Sequence, residues 1–140
     1  MIRGILERIK KEESFMSKPY LCTAGKTTIG YGTNLDAGIS ERTAERLLKE
    51  KVRQDIAWLC NKSSNLTFNF RKLPYPVREV LVDMTYNIGR TGLKRFKKMN
   101  KAIAEGDYYT ASKELLNSRY AKQVPARSKR NAKLLKNIRK

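Results

Sequence analysis

Glu13, Cys22 and Thr28 place a carboxyl, a thiol and a hydroxyl in one short stretch, at spacings of nine and six residues. The chain contains no histidine, so the usual imidazole partner for activating a thiol or hydroxyl is missing. Two readings of Cys22 remain open. It is either a small apolar side chain used in packing, or a thiolate acting as nucleophile or base. The second reading requires the anion, and Lys18 and Lys26 are the neighbouring cations that would favour it. Residue type alone decides little at the other two positions. A glutamate near a helix end is ordinarily a solvated charge, as Glu12 beside Glu13 illustrates, and a threonine in a strand is ordinarily a β-former. Cys60 reads as packing. The two cysteines lie 38 residues apart, which matches no metal-ligand spacing, so neither a metal nor another cofactor is expected.

The elements that must position these groups follow from periodicity. Ile2, Ile5, Leu6 and Ile9 fall at helical spacing and predict an amphipathic helix over residues 2–12, with Glu13 near its C-terminal end. Two β-prone runs around Ala24-Gly25-Lys26 predict a hairpin, closed by Asp36-Ala37-Gly38. Ser40 is an N-cap for a long helix with Ala44, Leu47, Leu48, Val52, Ile56 and Leu59 along one stripe. After the polar segment 61–73, Pro74-Tyr75-Pro76 opens a helix with Val77, Val80, Leu81, Met84 and Ile88 at core spacing, which Gly89 is expected to end. Three shorter helices are expected around 96–103, 107–117 and from 126 onward. The order predicts an α+β fold, predominantly α.

The 140 residues suit one domain with a core of its own. A net charge of +18 implies a polyanionic partner, and nucleic acid, an anionic membrane face and an acidic polysaccharide such as bacterial cell wall all satisfy it. Eight lysines and arginines and no acidic residue lie between Ala121 and Lys140. The N-terminal residues lack an apolar run long enough for a signal peptide or membrane span, so neither export by this segment nor stable membrane insertion is expected. Two cysteines do not make a secreted disulfide scaffold, which points to synthesis in a reducing compartment.

The spacing of Glu13, Cys22 and Thr28, with the run Thr28-Ile29-Gly30-Tyr31-Gly32, resembles the phage-type lysozymes, most closely those of T-even phages. Further similarity lies in Ile39-Ser-Glu-Arg-Thr-Ala-Glu-Arg-Leu47, in Tyr86-Asn-Ile-Gly-Arg-Thr-Gly92, and in Ser118-Arg-Tyr120 with Gln123-Val-Pro-Ala-Arg127. The resemblance implies a single lysozyme domain of two lobes. A hairpin lobe would span about 13–38, a connecting helix about 40–60, and a helical lobe about 74–140, packed with the N-terminal helix. It also implies hydrolysis of the β-1,4 bond between N-acetylmuramic acid and N-acetylglucosamine in peptidoglycan. Cleavage by inversion needs a carboxylic acid to protonate the leaving oxygen and a second group to activate water. By resemblance Glu13 is the acid, Thr28 positions the water, and Cys22 stands where the T-even lysozymes carry an aspartate. Arg127 is implied as a supporting residue beside Glu13, and Tyr86 and Asn34 as saccharide contacts. Met99 and Glu114 occupy further cleft positions at which those lysozymes have serine and asparagine.

The expected partner is therefore peptidoglycan rather than nucleic acid. The expected form is a monomer that accumulates in the host cytoplasm and reaches the wall through a holin-dependent membrane lesion. Two readings of other classes stand beside this one: a basic nucleic-acid-binding protein using Lys94-Arg-Phe-Lys-Lys98 and the tail from Arg127, and a wall-binding module without catalysis.

Overall fold

The computed structural model describes residues 1–138 and divides into two compact units, Met1–Leu47 and a second beginning at Leu48. Arg139 and Lys140, the end of the basic tail, lie outside the described residues.

In the first unit, α1 (Ile2–Glu13) is followed by a three-stranded antiparallel sheet, β1 (Met16–Leu21), β2 (Thr27–Gly30) and β3 (Thr33–Asn34), in the order β1-β2-β3. Ser14 makes the change of direction. It takes a positive φ of 53°, unusual for a residue with a Cβ, while its N–H still caps α1 on the Lys10 carbonyl. The pairing Met16↔Gly30 gives way to Tyr20↔Thr28, so β1 carries extra residues against β2. Lys18-Pro19 falls in that irregular stretch, and a proline lacks the N–H that a regular ladder needs. The Asp36 turn closes the sheet as expected: the Asp36 carboxylate accepts from Thr27 N–H at 3.0 Å, and Gly38 N–H donates to the Leu35 carbonyl at 3.0 Å.

The long helix α2 (Glu41–Cys60) begins as the Ser40 signal predicts, with the Ser40 hydroxyl accepting from Thr43 N–H at 3.1 Å. Its stripe departs from expectation. Leu47, Leu48 and Ile56 are exposed, whereas the two buried residues are Leu59 and the carboxylate-bearing Asp55. Asp55 is paired through one oxygen only: Lys51 Nζ donates to Oδ1 at 2.8 Å and Arg90 Nε lies 3.6 Å from it, while Oδ2 is buried without a hydrogen-bond partner among the described residues.

The second unit is helical after two 3₁₀ turns at Lys62–Ser64 and Phe70–Lys72. It continues through α3 (Tyr75–Lys94), α4 (Lys97–Ala104), α5 (Tyr108–Leu116), α6 (Arg119–Gln123) and α7 (Pro125–Lys136). Val77, Val80, Leu81 and Met84 of α3 are fully buried with Leu93, Ile103, Leu115 and Leu135. Each such side chain contributes about 1.5–3 kcal/mol on transfer from water. Two boundaries differ from the sequence reading. Gly89 breaks the helical geometry of α3 where expected, at φ 81° and ψ 168°, but helix resumes beyond this kink and runs to Lys94, which the sequence reading did not foresee. The short α6 was not anticipated. Ser118 caps it, accepting from Ala121 N–H at 3.2 Å.

Candidate active site

Cys22 and Thr28 are brought together by strand register. Thr28 pairs with Tyr20 across β1 and β2, and Cys22 lies two residues beyond Tyr20, hence on the same face. Cys22 N–H donates to the Lys26 carbonyl at 3.0 Å, extending the ladder into the turn. Thr28 is 4% exposed, and its hydroxyl donates to the Lys26 carbonyl at 2.8 Å. Thr28 also faces Asn34 across β2 and β3. The Asn34 side-chain oxygen accepts from Asp36 N–H at 3.0 Å.

The Cys22 thiol is lowered from its ordinary pKa, first by the backbone N–H of Lys26 and next by that of Ala24. Partial burial opposes the shift, and the Thr28 hydroxyl adds to it. The sequence reading looked to the ammonium groups of Lys18 and Lys26. The turn instead supplies the anion with main-chain donors, which stabilise a thiolate as they would any anion. Both cysteines are free thiols, each partly exposed.

Glu13, the last residue of α1, reaches over the turn between β2 and β3. A Cβ at Gly32 would stand 2.7 Å from the Glu13 Oε2. Gly32 has φ +80°, so it is glycine twice over, for backbone conformation and for the carboxylate beside it. The hairpin unit thus holds the carboxyl, thiol and hydroxyl that the sequence singled out. Gly32 is the neighbour of the Glu13 carboxylate that spacing missed, although its place in Thr28-Ile-Gly-Tyr-Gly32 was a signal.

In the second unit, Tyr86 and Arg127 line one concavity of about 670 Å³ with Val52, Ile56, Val82 and Asp83. Arg127 is held by Asp83 in a two-pronged pair, Nε at 2.9 Å and Nη2 at 2.7 Å, and Asn131 Nδ2 donates to the same carboxylate at 2.9 Å. Burial pushes the Asp83 carboxyl up, but the bonds from Arg127 and Asn131 and the charges of Arg127 and Arg130 outweigh it and hold it below the ordinary value. Nothing in the sequence marked Asp83, which lies 44 residues from Arg127. A second concavity of about 690 Å³ is lined by Met99, Glu114, Phe96 and Tyr120, with Arg95, Lys97, Lys98 and Arg119 around them.

The sequence model of the family described as Phage lysozyme matches residues 10–137. The chain belongs to the phage lysozyme family. It is 31% identical over 118 residues to the protein named Endolysin of Acyrthosiphon pisum secondary endosymbiont phage 1, covering 81% of this chain and 76% of that protein. It is 23% identical over 156 aligned positions to Probable T4-type lysozyme 2 of Dictyostelium discoideum, covering 93% and 92%. This phage lysozyme is accordingly a muramidase-type glycoside hydrolase with peptidoglycan as its substrate. No helix among its described residues is long and apolar enough to cross a membrane.

Proposed function

We propose that this phage lysozyme is an endolysin that hydrolyses the β-1,4 bond between N-acetylmuramic acid and N-acetylglucosamine and so lyses the host. Glu13 protonates the leaving oxygen. Cys22, as thiolate, activates water or attacks the anomeric carbon, and the Thr28 hydroxyl orients the reacting water. The reaction class calls for an acid and a second group acting on the sugar's other face. The observation that carries the reading is the hairpin unit itself, where a thiol with a lowered pKa shares a face with the Thr28 hydroxyl while Glu13 is seated against Gly32. Tyr86 and Asn34 contact saccharide, and Arg127 is a supporting residue whose guanidinium Asp83 orients.

The enzyme acts as a monomer. It accumulates in the host cytoplasm, and a holin-type lesion gives it access to the wall. Its charge of +18 suits that anionic substrate.

The test is turbidity loss of chloroform-treated Gram-negative cells. Glu13→Gln should reduce lysis by about two to four orders of magnitude, the usual value of a positioned proton donor, whereas Glu12→Gln should retain most of it. Equal activity of the two folded variants would remove Glu13 from the mechanism.

A further inference from the structure

Phe15 and Tyr31 are close in sequence to the two residues, Glu13 and Gly32, that meet at the Glu13 carboxylate. Phe15 follows Glu13 by two residues, and Tyr31 immediately precedes Gly32, whose Cα faces that carboxylate. The pairing Met16↔Gly30 explains why the two aromatics meet: they are the residues one step outside that pair, on the same face of the hairpin. Their ring centroids are 5.5 Å apart, with planes at 48°. Aromatic pairs of this kind ordinarily belong to a buried core or an interface. Here Phe15 is 62% exposed and Tyr31 41% exposed. Lys10 completes the group, with Nζ 5.9 Å from the Tyr31 ring centre.

We propose that Phe15 and Tyr31 form a stacking platform for a pyranose ring of the glycan strand, adjoining the position where Glu13 acts; the proposal rests on the reading of Glu13 as the acid. A β-1,4-linked N-acetylhexosamine presents a face of axial C–H groups, apolar and weakly positive, which complements the electron-rich face of an aromatic ring. Its hydroxyl and acetamido groups lie around the ring edge, where the Tyr31 hydroxyl offers a partner. Lys10 places a cation beside the platform, which suits a strand whose muramyl residues carry carboxylate-bearing substituents. The hairpin register fixes both rings on the backbone that also positions Gly32, so a sugar stacked on them is indexed to the Glu13 carboxylate.

The platform is tested in the full chain with Phe15→Ala, Phe15→Leu, Phe15→Trp and Tyr31→Ala. Hydrolysis is measured on soluble glycan strands freed of their crosslinks. Binding of N-acetylchitohexaose is measured by calorimetry with the same changes in the Glu13→Gln background. Substitutions at exposed positions normally leave stability nearly unchanged, and melting temperatures verify this. Phe15→Ala and Tyr31→Ala should each raise KM and weaken hexasaccharide binding about five- to tenfold, with kcat within about twofold. Phe15→Trp should restore both quantities and Phe15→Leu neither. Parent-like behaviour of Phe15→Leu would overturn the proposal, because packing bulk rather than a ring face would then be what matters. A fall in kcat at unchanged KM would overturn it too, since the aromatics would then only be holding Glu13. Full activity of Glu13→Gln would instead defeat the assignment of the acid. The hexasaccharide measurement would still decide the platform, supporting it if affinity follows the ring and rejecting it otherwise.

Discussion

The carboxylate of Glu13 occupies the space that a side chain at Gly32 would need: a Cβ there falls 2.7 Å from Oε2 and 3.2 Å from Cδ. Gly32→Ala should therefore displace the carboxylate and also strain a backbone held at φ +80°. A misplacement of this kind lowers kcat about 100-fold, and the strain costs about 1 kcal/mol. Comparing kcat with the urea unfolding midpoint separates the two effects. A variant with parental kcat would show that Glu13 does not act from its observed position.

Cys22 governs the acid limb of the pH profile if its thiolate takes part. Its pKa is lowered by the Lys26 and Ala24 N–H groups, so activity should rise with pH through a value below that of an ordinary thiol, about 8.5. In Cys22→Asp the limb should move further toward acid, because a carboxyl ionises near pH 3.9 or about that value. Cys22→Ala should lose most activity, and iodoacetamide should inactivate the parent but not Cys22→Asp. Cys60→Ala is the control. An active Cys22→Ala would reduce the thiol to packing.

Much of the fold was legible because its signals are local. The Ser40 cap, the glycine turn of the hairpin and the Pro74-Tyr75-Pro76 start each involve residues a few positions apart. The site was legible in part. Glu13, Cys22 and Thr28 could be named as candidates because their spacing resembles that of the phage-type lysozymes, but the lowering of the thiol pKa comes from main-chain donors, which no choice of side chains announces. Asp83 was invisible for another reason: its partners Arg127 and Asn131 lie 44 and 48 residues away, and only tertiary structure joins them. The α2 stripe misled because hydrophobic spacing has no means of anticipating a buried aspartate, paired with Lys51 on its own helix and with Arg90 from α3.

The Asp83–Arg127 pair should make stability depend on acid. The Asp83 pKa is depressed in the folded chain, so its contribution is present above the unfolded-state value of about 3.9 and is lost as pH falls through the folded value. Both side chains are about one-third exposed, and solvent limits the effect. Asp83→Asn should cost about 1 kcal/mol at neutral pH, with parent and variant converging in acid, once pH has fallen below the depressed folded value. Urea denaturation at the two pH values checks this, and a difference that persists in acid would assign the effect to packing.

The charge of +18 should act mainly on the encounter with the wall. Raising salt shortens the screening length from about 10 Å at 0.1 M to about 3 Å at 1 M. Lysis of whole cells should weaken over that range, while cleavage of short soluble saccharides should hold steady. Equal salt sensitivity of the two reactions would place the decisive charges at the bond being cut.

Gly89, where α3 kinks, has no atom within 4 Å of the place a Cβ would take. Its backbone nevertheless sits at φ 81° and ψ 168°, a region that residues with an L side chain essentially do not enter. The position is thus constrained by handedness and not by room. All nineteen alternatives in the genetic code have the wrong chirality or ring for it, so mutation offers no neighbouring solution. A mirror-image alanine has the handedness that this backbone asks for, and would remove freedom from the unfolded chain.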